Sequence, residues 1–376
     1  MSVGTSYRLD PAVVTEELTV GYRLGHGRRR AVLEGLNLEL HPRELVCVLG
    51  PNGCGKSSLL RTVAGLLPAL GGRVLLGSTP IDAFDRNELA RRLAVVLTDR
   101  IDPGFLTVLE LVSLGRFPYT AWNGRLEEPD RRAVAEALAA LGLSEFGERR
   151  IAELSDGEQQ KAMIARAVAQ RPRVLVLDEP TAYLDLPSRV EILQLLRERV
   201  TETAEAVLLS THELELALRL ADRLWLIDEH GGVECGLPEE LVLNGAIGRA
   251  FARDELQFDL ETASFRPTRP ARGTVALVGD GIATLWTARA LERVGFAVRV
   301  ASSLGPPHTA EAALVEVYDD PTTPSGAAWR VRRTPAEAGA DTRRVAADTH
   351  RCATLDQVLR TIETGRTGPA DGSHAV

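Results

Sequence analysis

At 376 residues and 40.7 kDa the chain is long enough for two to three domains, and 44% hydrophobic with 26% charged residues excludes a disordered protein. A net charge of −8 argues against a protein that coats nucleic-acid phosphates, and no apolar run approaches the roughly 18 residues of a membrane span. Cys47, Cys54, Cys235 and Cys352 form no CxxC and the N-terminus lacks a secretory profile, so a reducing cytoplasm is expected, without disulfides or zinc. Of the 44 basic residues only Lys56 and Lys161 are lysines, which makes their positions informative.

In chain order, Leu36, Leu38 and Leu40 alternate with polar residues and predict a half-exposed strand. Leu45–Leu49 is continuously apolar, as a buried strand is. Comparable runs recur at 93–97, 174–177, 206–209 and 224–227, interleaved with helical stretches, the pattern of an α/β fold. Val134, Ala137, Leu138 and Leu141 follow helical spacing and mark an amphipathic helix. Pro and Arg interrupt all periodicity over residues 263–273, which reads as a linker between a domain at 1–262 and a smaller one at 274–376. Beyond it, 274–278, a helix over 283–294 and 296–300 repeat a β-α-β theme.

Gly50-Pro-Asn-Gly-Cys-Gly-Lys56-Ser57 fits G-x-x-x-x-G-K-[ST] and follows the buried strand. Glycines let backbone N–H groups wrap a phosphate, the next helix offers its positive N-terminus, Lys56 reaches the outer phosphates and Ser57 can ligate Mg²⁺. Gly50, Asn52, Gly53, Gly55, Lys56, Ser57 and Ser58 are therefore the expected nucleotide-binding residues. Neither lysine sits in an N-K-x-D motif, which removes a GTPase. The apolar run 174–177 ends in Asp178-Glu179: Asp178 is expected to hold Mg²⁺ and Glu179 to polarise the attacking water as general base. Cys54 inside the loop is expected as a small neutral filler, with a helix-activated thiol as the alternative.

Leu154-Ser-Asp-Gly-Glu158 lies between these motifs, followed by Thr181-Ala-Tyr-Leu-Asp185 and Ser210-Thr-His212. This ordered set resembles the ATP-binding cassette (ABC) ATPases over about residues 12 to 260. The resemblance implies a P-loop NTPase cassette with a helical insert and an antiparallel β subdomain, the small C-terminal α/β domain being additional. It implies a homodimer sandwiching two ATPs, in which Ser155 and Gly157 of one copy touch the nucleotide bound by the other and Asp185 contacts the partner. It further implies that Tyr22 stacks on adenine, and that His212 contacts the γ-phosphate beside the catalytic Glu179. The alternative for Tyr22 is a strand tyrosine packing on the sheet, and Ser155-x-x-Glu158 is also a capping box.

Two departures from the family pattern stand out. Thr98-Asp99 occupies the place of a metal-ligating glutamine, and Asp99, as the harder anionic oxygen donor, is expected to inherit that role over Thr98. Asp156 and Glu158 replace a glycine and a glutamine in the signature, and their charge is expected to weaken the closed sandwich.

Thr107–Tyr119 is similar to the corresponding segment of importers of iron–siderophore, haem and cobalamin, and its Arg116, Phe117 and Tyr119 are the expected contacts to a permease. The resemblance thus implies the ATP-hydrolysing subunit of an importer, peripheral on the cytoplasmic face of the inner membrane. Its partners are a separate permease and, indirectly, a substrate-binding protein. The competing class, a soluble repair or translation ATPase, lacks support because neither zinc modules nor a second cassette are present. In the C-terminal region Gly279-Asp-Gly281 resembles a dinucleotide fingerprint. Thr284 takes its third glycine and no acid ends the second strand, so a plain β-α turn is expected there.

Overall fold

A computed structural model describes residues 10–25, 27–98, 105–121, 124–252, 256–260, 262–268, 270–301, 311–323, 325–333 and 349–363. The chain divides into two compact units, Met1–Arg266 and Pro267–Val376.

The first unit opens with strands β1 (Val13–Arg23), β2 (Arg29–Leu36), β3 (Glu39–Leu40) and β4 (Leu45–Leu49), then helix α1 (Lys56–Val63). Strands β5 (Gly71–Leu76) and β6 (Thr79–Pro80), helix α2 (Arg86–Arg92) and strand β7 (Leu93–Val96) follow. Helices α3 (Val108–Ser113), α4 (Glu128–Ala140) and α5 (Asp156–Ala169) lead to strand β8 (Val174–Asp178). Helix α6 (Leu186–Glu202), strand β9 (Ala206–Ser210), helix α7 (Leu214–Leu220) and strands β10 (Arg223–Ile227) and β11 (Val233–Gly236) come next. Helices α8 (Pro238–Leu243) and α9 (Ala246–Ala250) and strands β12 (Leu256–Asp259) and β13 (Ser264–Pro267) complete it.

The main sheet runs β11-β10-β4-β9-β8-β7, with β10, β4, β9, β8 and β7 parallel. Its continuous apolar runs are explained by burial on both faces. Leu45, Cys47 and Leu49 enter one core cluster with residues of α3 to α6, while Val46 and Val48 enter the other with residues of α1. That second cluster also takes Val13, Leu18, Val20 and Leu33 from an antiparallel sheet ordered β2-β1-β5-β6, with β3 on β1. Leu36, Leu38 and Leu40 are buried there as their alternation predicts.

Helices α3, α4 and α5 pack on one another and sit in sequence between β7 and β8. Val134, Ala137, Leu138 and Leu141 are all buried on the predicted stripe. Arg116 corrects the expectation of a permease contact, because it is buried and ion-paired inside the insert, while Tyr119 is partly buried beside it. Arg116 is 5% exposed, its Nε donates to Asp130 Oδ1 at 2.9 Å, and its guanidinium lies 3.8 Å from the Tyr119 ring centroid. The Tyr119 hydroxyl donates to the Gln170 carbonyl at 3.0 Å. Both residues hold the insert to the core; Phe117, 67% exposed, is the one of the three that faces outward.

The expected linker begins later than its composition suggests. Ser264–Pro267 pairs with β12, and Phe265 stacks 5.6 Å from Phe251 and 5.1 Å from Phe258 against the first core cluster. A four-residue strand needs one anchored side chain rather than a long periodic run.

In the second unit, β14 (Thr274–Val278), helix α10 (Gly281–Arg293), β15 (Ala297–Ala301), β16 (Glu311–Asp319), β17 (Ala327–Arg333), β18 (Thr349–Cys352) and helix α11 (Leu355–Glu363) form a sheet ordered β15-β14-β16-β17-β18. The first three strands are parallel and the last two antiparallel. Its own core includes Val275, Leu277, Leu291, Val315, Trp329 and Val358.

Candidate functional site

Parallel strands bring their C-terminal ends to one edge, and here the ends of β4, β8 and β9 deliver the phosphate loop, Asp178-Glu179 and Ser210 together. Gly55 caps α1 at φ +110°, where a Cβ would meet Val32 Cγ1 at 2.7 Å, so the turn admits only glycine. Lys56 is 5% exposed and its Nζ donates to the carbonyls of Gly50 and Pro51 at 2.9 and 3.0 Å. Burial pulls its ammonium below the usual lysine range, opposed by the negative charges of Glu179 and Asp178.

The Ser57 hydroxyl donates to Asp178 Oδ1 at 2.9 Å, and the Ser210 hydroxyl donates to the same oxygen at 2.8 Å. Ser210 Oγ also accepts the Glu179 N–H at 2.9 Å, which ties the start of the next turn to β9. Glu179 itself sits at φ +50°, a left-handed conformation unusual for a non-glycine residue. Its Oε1 lies 2.5 Å from His212 Nε2. Thr98 Oγ1 donates to the Asp178 carbonyl at 2.7 Å, so this hydroxyl is engaged in joining β7 to β8. Asp99 lies outside the described residues.

A cavity of about 480 Å³ is lined by Asn52 to Ser58, Tyr22, Arg30, Ala31, Val32, Glu179 and the Glu229–Gly231 turn. Tyr22 is 44% exposed and its hydroxyl is 2.7 Å from Ser58 Oγ, so the ring stands over the loop rather than inside the sheet. The 229–231 wall was not anticipated. Asp228 builds it, its Oδ1 accepting the N–H groups of His230 and Gly232 at 2.8 Å each. An Asx-type turn with Gly-Gly after it is the sequence signal that marks this loop. Arg30 reaches the cavity because it pairs with Tyr22 across β1 and β2.

Ser155, Gly157 and Asp185 are not among the residues lining this cavity. Ser155 caps α5 in a full capping box: its N–H and its hydroxyl both donate to Glu158 Oε2 at 2.8 Å. Those bonds hold the Glu158 carboxyl below the usual range. Asp185 caps α6 by accepting the Ser188 N–H at 3.1 Å, and bonds from the Ser188 hydroxyl and then its N–H hold the Asp185 carboxyl below the usual range. Cys54 is buried, and desolvation pushes its thiol up despite the opposing Lys56 charge, as for a neutral filler.

The residues fit a magnesium nucleotide. Ser57 and Asp178 offer two hard oxygens side by side. Among the described residues no group of three His, Cys, Asp or Glu could hold a metal by itself. A Mg²⁺ bound through one or two protein oxygens, with phosphate and water completing its shell, suits such a pair.

Comparisons with known proteins agree with this geometry. The ABC transporter family matches residues 33–182, and a second family, described as the iron ABC transporter C-terminal domain, matches residues 272–340. An uncharacterized ABC transporter ATP-binding protein of Methanocaldococcus jannaschii is 41% identical over 251 residues, 67% of this chain and 82% of that one. An iron(3+)-hydroxamate import ATP-binding protein of Bacillus subtilis is 35% identical over 240 residues, 64% and 87% of the two chains. A solved dimeric bacterial ABC transporter cassette matches with TM-score 0.52 and 29% identity, covering 59% of this chain and 96% of that one. A cassette with these motifs on these strand ends, matched over most of its relatives' length, belongs to the ATP-binding subunits of ABC transporters.

Proposed function

We propose that the chain hydrolyses ATP to drive uptake of an iron chelate through a separate membrane permease, acting as a homodimer at the membrane's cytoplasmic face. The observation that carries the chemistry is the cluster at the strand ends: buried Lys56, Ser57 against Asp178, and Glu179 against His212. The iron C-terminal family and the hydroxamate-importing relative support the cargo class, and no helix among the described residues is long and apolar enough to cross a membrane.

In this reading the phosphate loop N–H groups and Lys56 hold the β- and γ-phosphates, while Tyr22 stacks on the base. Bound Mg²⁺, held by Ser57 and Asp178, supplies charge neutralisation of the phosphates. Glu179 accepts a proton from water as its oxygen bonds to the γ-phosphorus and the bond to the bridging oxygen breaks, releasing ADP and phosphate. His212 fixes the Glu179 carboxylate and donates to the γ-phosphate. The α5 N-terminus at Ser155 and Gly157 faces an anion only if a second copy brings one, which is the physical motive for the dimer. Asp185, which caps α6, is the residue that would contact the partner.

Glu179→Gln tests the reading. It should bind ATP, accumulate as a dimer in light scattering, and hydrolyse at least ~100-fold more slowly. Undiminished turnover would remove Glu179 from the mechanism. For the transport part, tagged wild-type chain purified from solubilised membranes should retain a polytopic permease; ribosomes or DNA in its place would point to a non-transport ATPase.

A further inference from the structure

A second cavity, of about 300 Å³, is lined by Glu88, Arg91, Arg92 and Arg173. Arg92 ends α2 and Arg173 immediately precedes β8, and the Arg173 N–H donates to the Arg92 carbonyl at 2.7 Å. The two arginines therefore open the neighbouring strands β7 and β8. Asp178 closes β8 at its other end, five residues or roughly 16 Å away at ~3.3 Å per residue. The cavity is thus separate from the nucleotide site, at the opposite ends of the strands.

Arg91 and Arg173 are exposed and Arg92 is partly buried, whereas arginines in other parts of the cassette are ion-paired: Arg116 with Asp130, Arg189 with Glu213, Arg199 with Glu205, Arg223 with Glu44. In this cavity none of the three guanidinium groups lies within 4.0 Å of a carboxylate of the described residues. Acids are not scarce, since the chain carries 52 against 44 basic residues. Like charges on adjacent strand starts cost stability, and the C-terminal dipole of α2 rationalises Arg91 and Arg92 but not Arg173.

Two of the three groups are already oriented. Arg91 Nε donates to the Pro118 carbonyl at 2.9 Å with its guanidinium 5.3 Å from the Tyr119 ring centroid, and Arg92 lies 4.8 Å from that of Phe84. Oriented planar donors bind tetrahedral oxyanions with little further loss of freedom. Three positive groups against the single acid Glu88 leave a formal +2, the complement of a phosphate dianion.

We propose that the Arg91–Arg92–Arg173 cavity binds a phosphate group, supplied either free or as a phospholipid headgroup. This goes beyond the importer reading and does not rest on it. The test uses the full chain carrying Lys56→Ala, which weakens the phosphate loop's own hold on phosphate and leaves the response to Arg173→Ala to report the second cavity. Inorganic phosphate should raise its melting temperature above that in chloride of equal ionic strength, and adding Arg173→Ala should weaken the apparent affinity about tenfold or more, the scale of one charge-assisted contact.

In parallel, sedimentation with phosphatidylcholine vesicles, with or without phosphatidylglycerol, should show retention on the anionic vesicles that Arg173→Ala removes. Arg171→Ala, two residues away and paired with Glu136, is the control for loss of bulk charge and should change neither readout. A response confined to phosphate identifies the free ion, and one that includes vesicles identifies the headgroup. Indifference of both probes to Arg173→Ala, or equal loss in Arg171→Ala, overturns the proposal. Arg173→Ala in the otherwise wild-type chain should keep its ATPase rate, which checks the fold.

Discussion

Two junctions in this molecule share one plan, a five-residue strand running through a glycine turn into a helix. One is β4 into α1, the other β14 into α10. At the first, a buried lysine binds the loop's own carbonyls and a carboxylate from β8 stands against the helix's second residue. At the second, Asp280 takes the capping position, Ile282 is 76% exposed, and the Thr284 hydroxyl is engaged with the Asp280 carbonyl. Gly279 at φ +145° is there because a Cβ would strike the Val317 carbonyl at 2.8 Å, a packing reason. Glycine gives a turn room. A cation and an oxygen donor from a neighbouring strand make it a phosphate site.

The largest way to break that contrast is Lys56→Ala. Losing a charge-assisted contact to two phosphates should raise the Kd for ATP at least ~100-fold by calorimetry. Asp280→Ala, at the capping position of the second junction, should leave it within about twofold. An unaltered Kd in Lys56→Ala would mean that the backbone cradle alone grips the nucleotide.

The two units also differ in how they treat buried polar groups. The cassette buries a charge pair, Arg116 with Asp130, at 6% and 8% side-chain exposure. The second unit buries a neutral pair, with Trp329 Nε1 donating to Thr287 Oγ1 at 2.7 Å. Asp130→Ala strands a guanidinium in the interior and should cost about 3–5 kcal/mol in urea unfolding. Trp329→Phe leaves Thr287 its bond to the Ala283 carbonyl and should cost about 1 kcal/mol. Equal penalties would show that Arg116 keeps access to water.

The strands of the main sheet were legible because burial on both faces leaves uninterrupted apolar runs: 45–49 matches β4 residue for residue, and 224–227 misses β10 by one. The candidate cluster was legible because each group sits next to such a run, at the strand end where the parallel topology gathers them. What sequence spacing did not reveal is contact between distant segments. Arg30 and the Glu229–Gly231 turn reach the cavity only through the pairing of β1 with β2 and of β10 with β4, and the turn signal at 228–232 does not by itself point to a nucleotide. Arg116 misled for the same reason. An arginine beside two aromatics reads as a surface patch until its partner, Asp130, is brought in from the next helix. Thr98, beside the undescribed Asp99, shows a hydroxyl whose bond to the Asp178 backbone no spacing rule indicates.

The smallest expected effect separates the units directly. Every residue lining the proposed nucleotide cavity precedes Gly232, and the second unit has its own core, so a chain ending at Thr268 loses none of those lining residues. Its basal ATPase rate should stay within about twofold of the full chain's. The position of the cut matters, because Phe265 packs on Phe251 and Phe258. Ending the chain at Thr262 removes that ring and should lower stability by about 1–3 kcal/mol, with activity lost on warming before it is lost at low temperature. Melting curves of the two truncated chains, read beside their ATPase rates, decide the point. If the chain ending at Thr268 is insoluble or inactive, the second unit completes the cassette's core and the boundary at Arg266 is not one of folding.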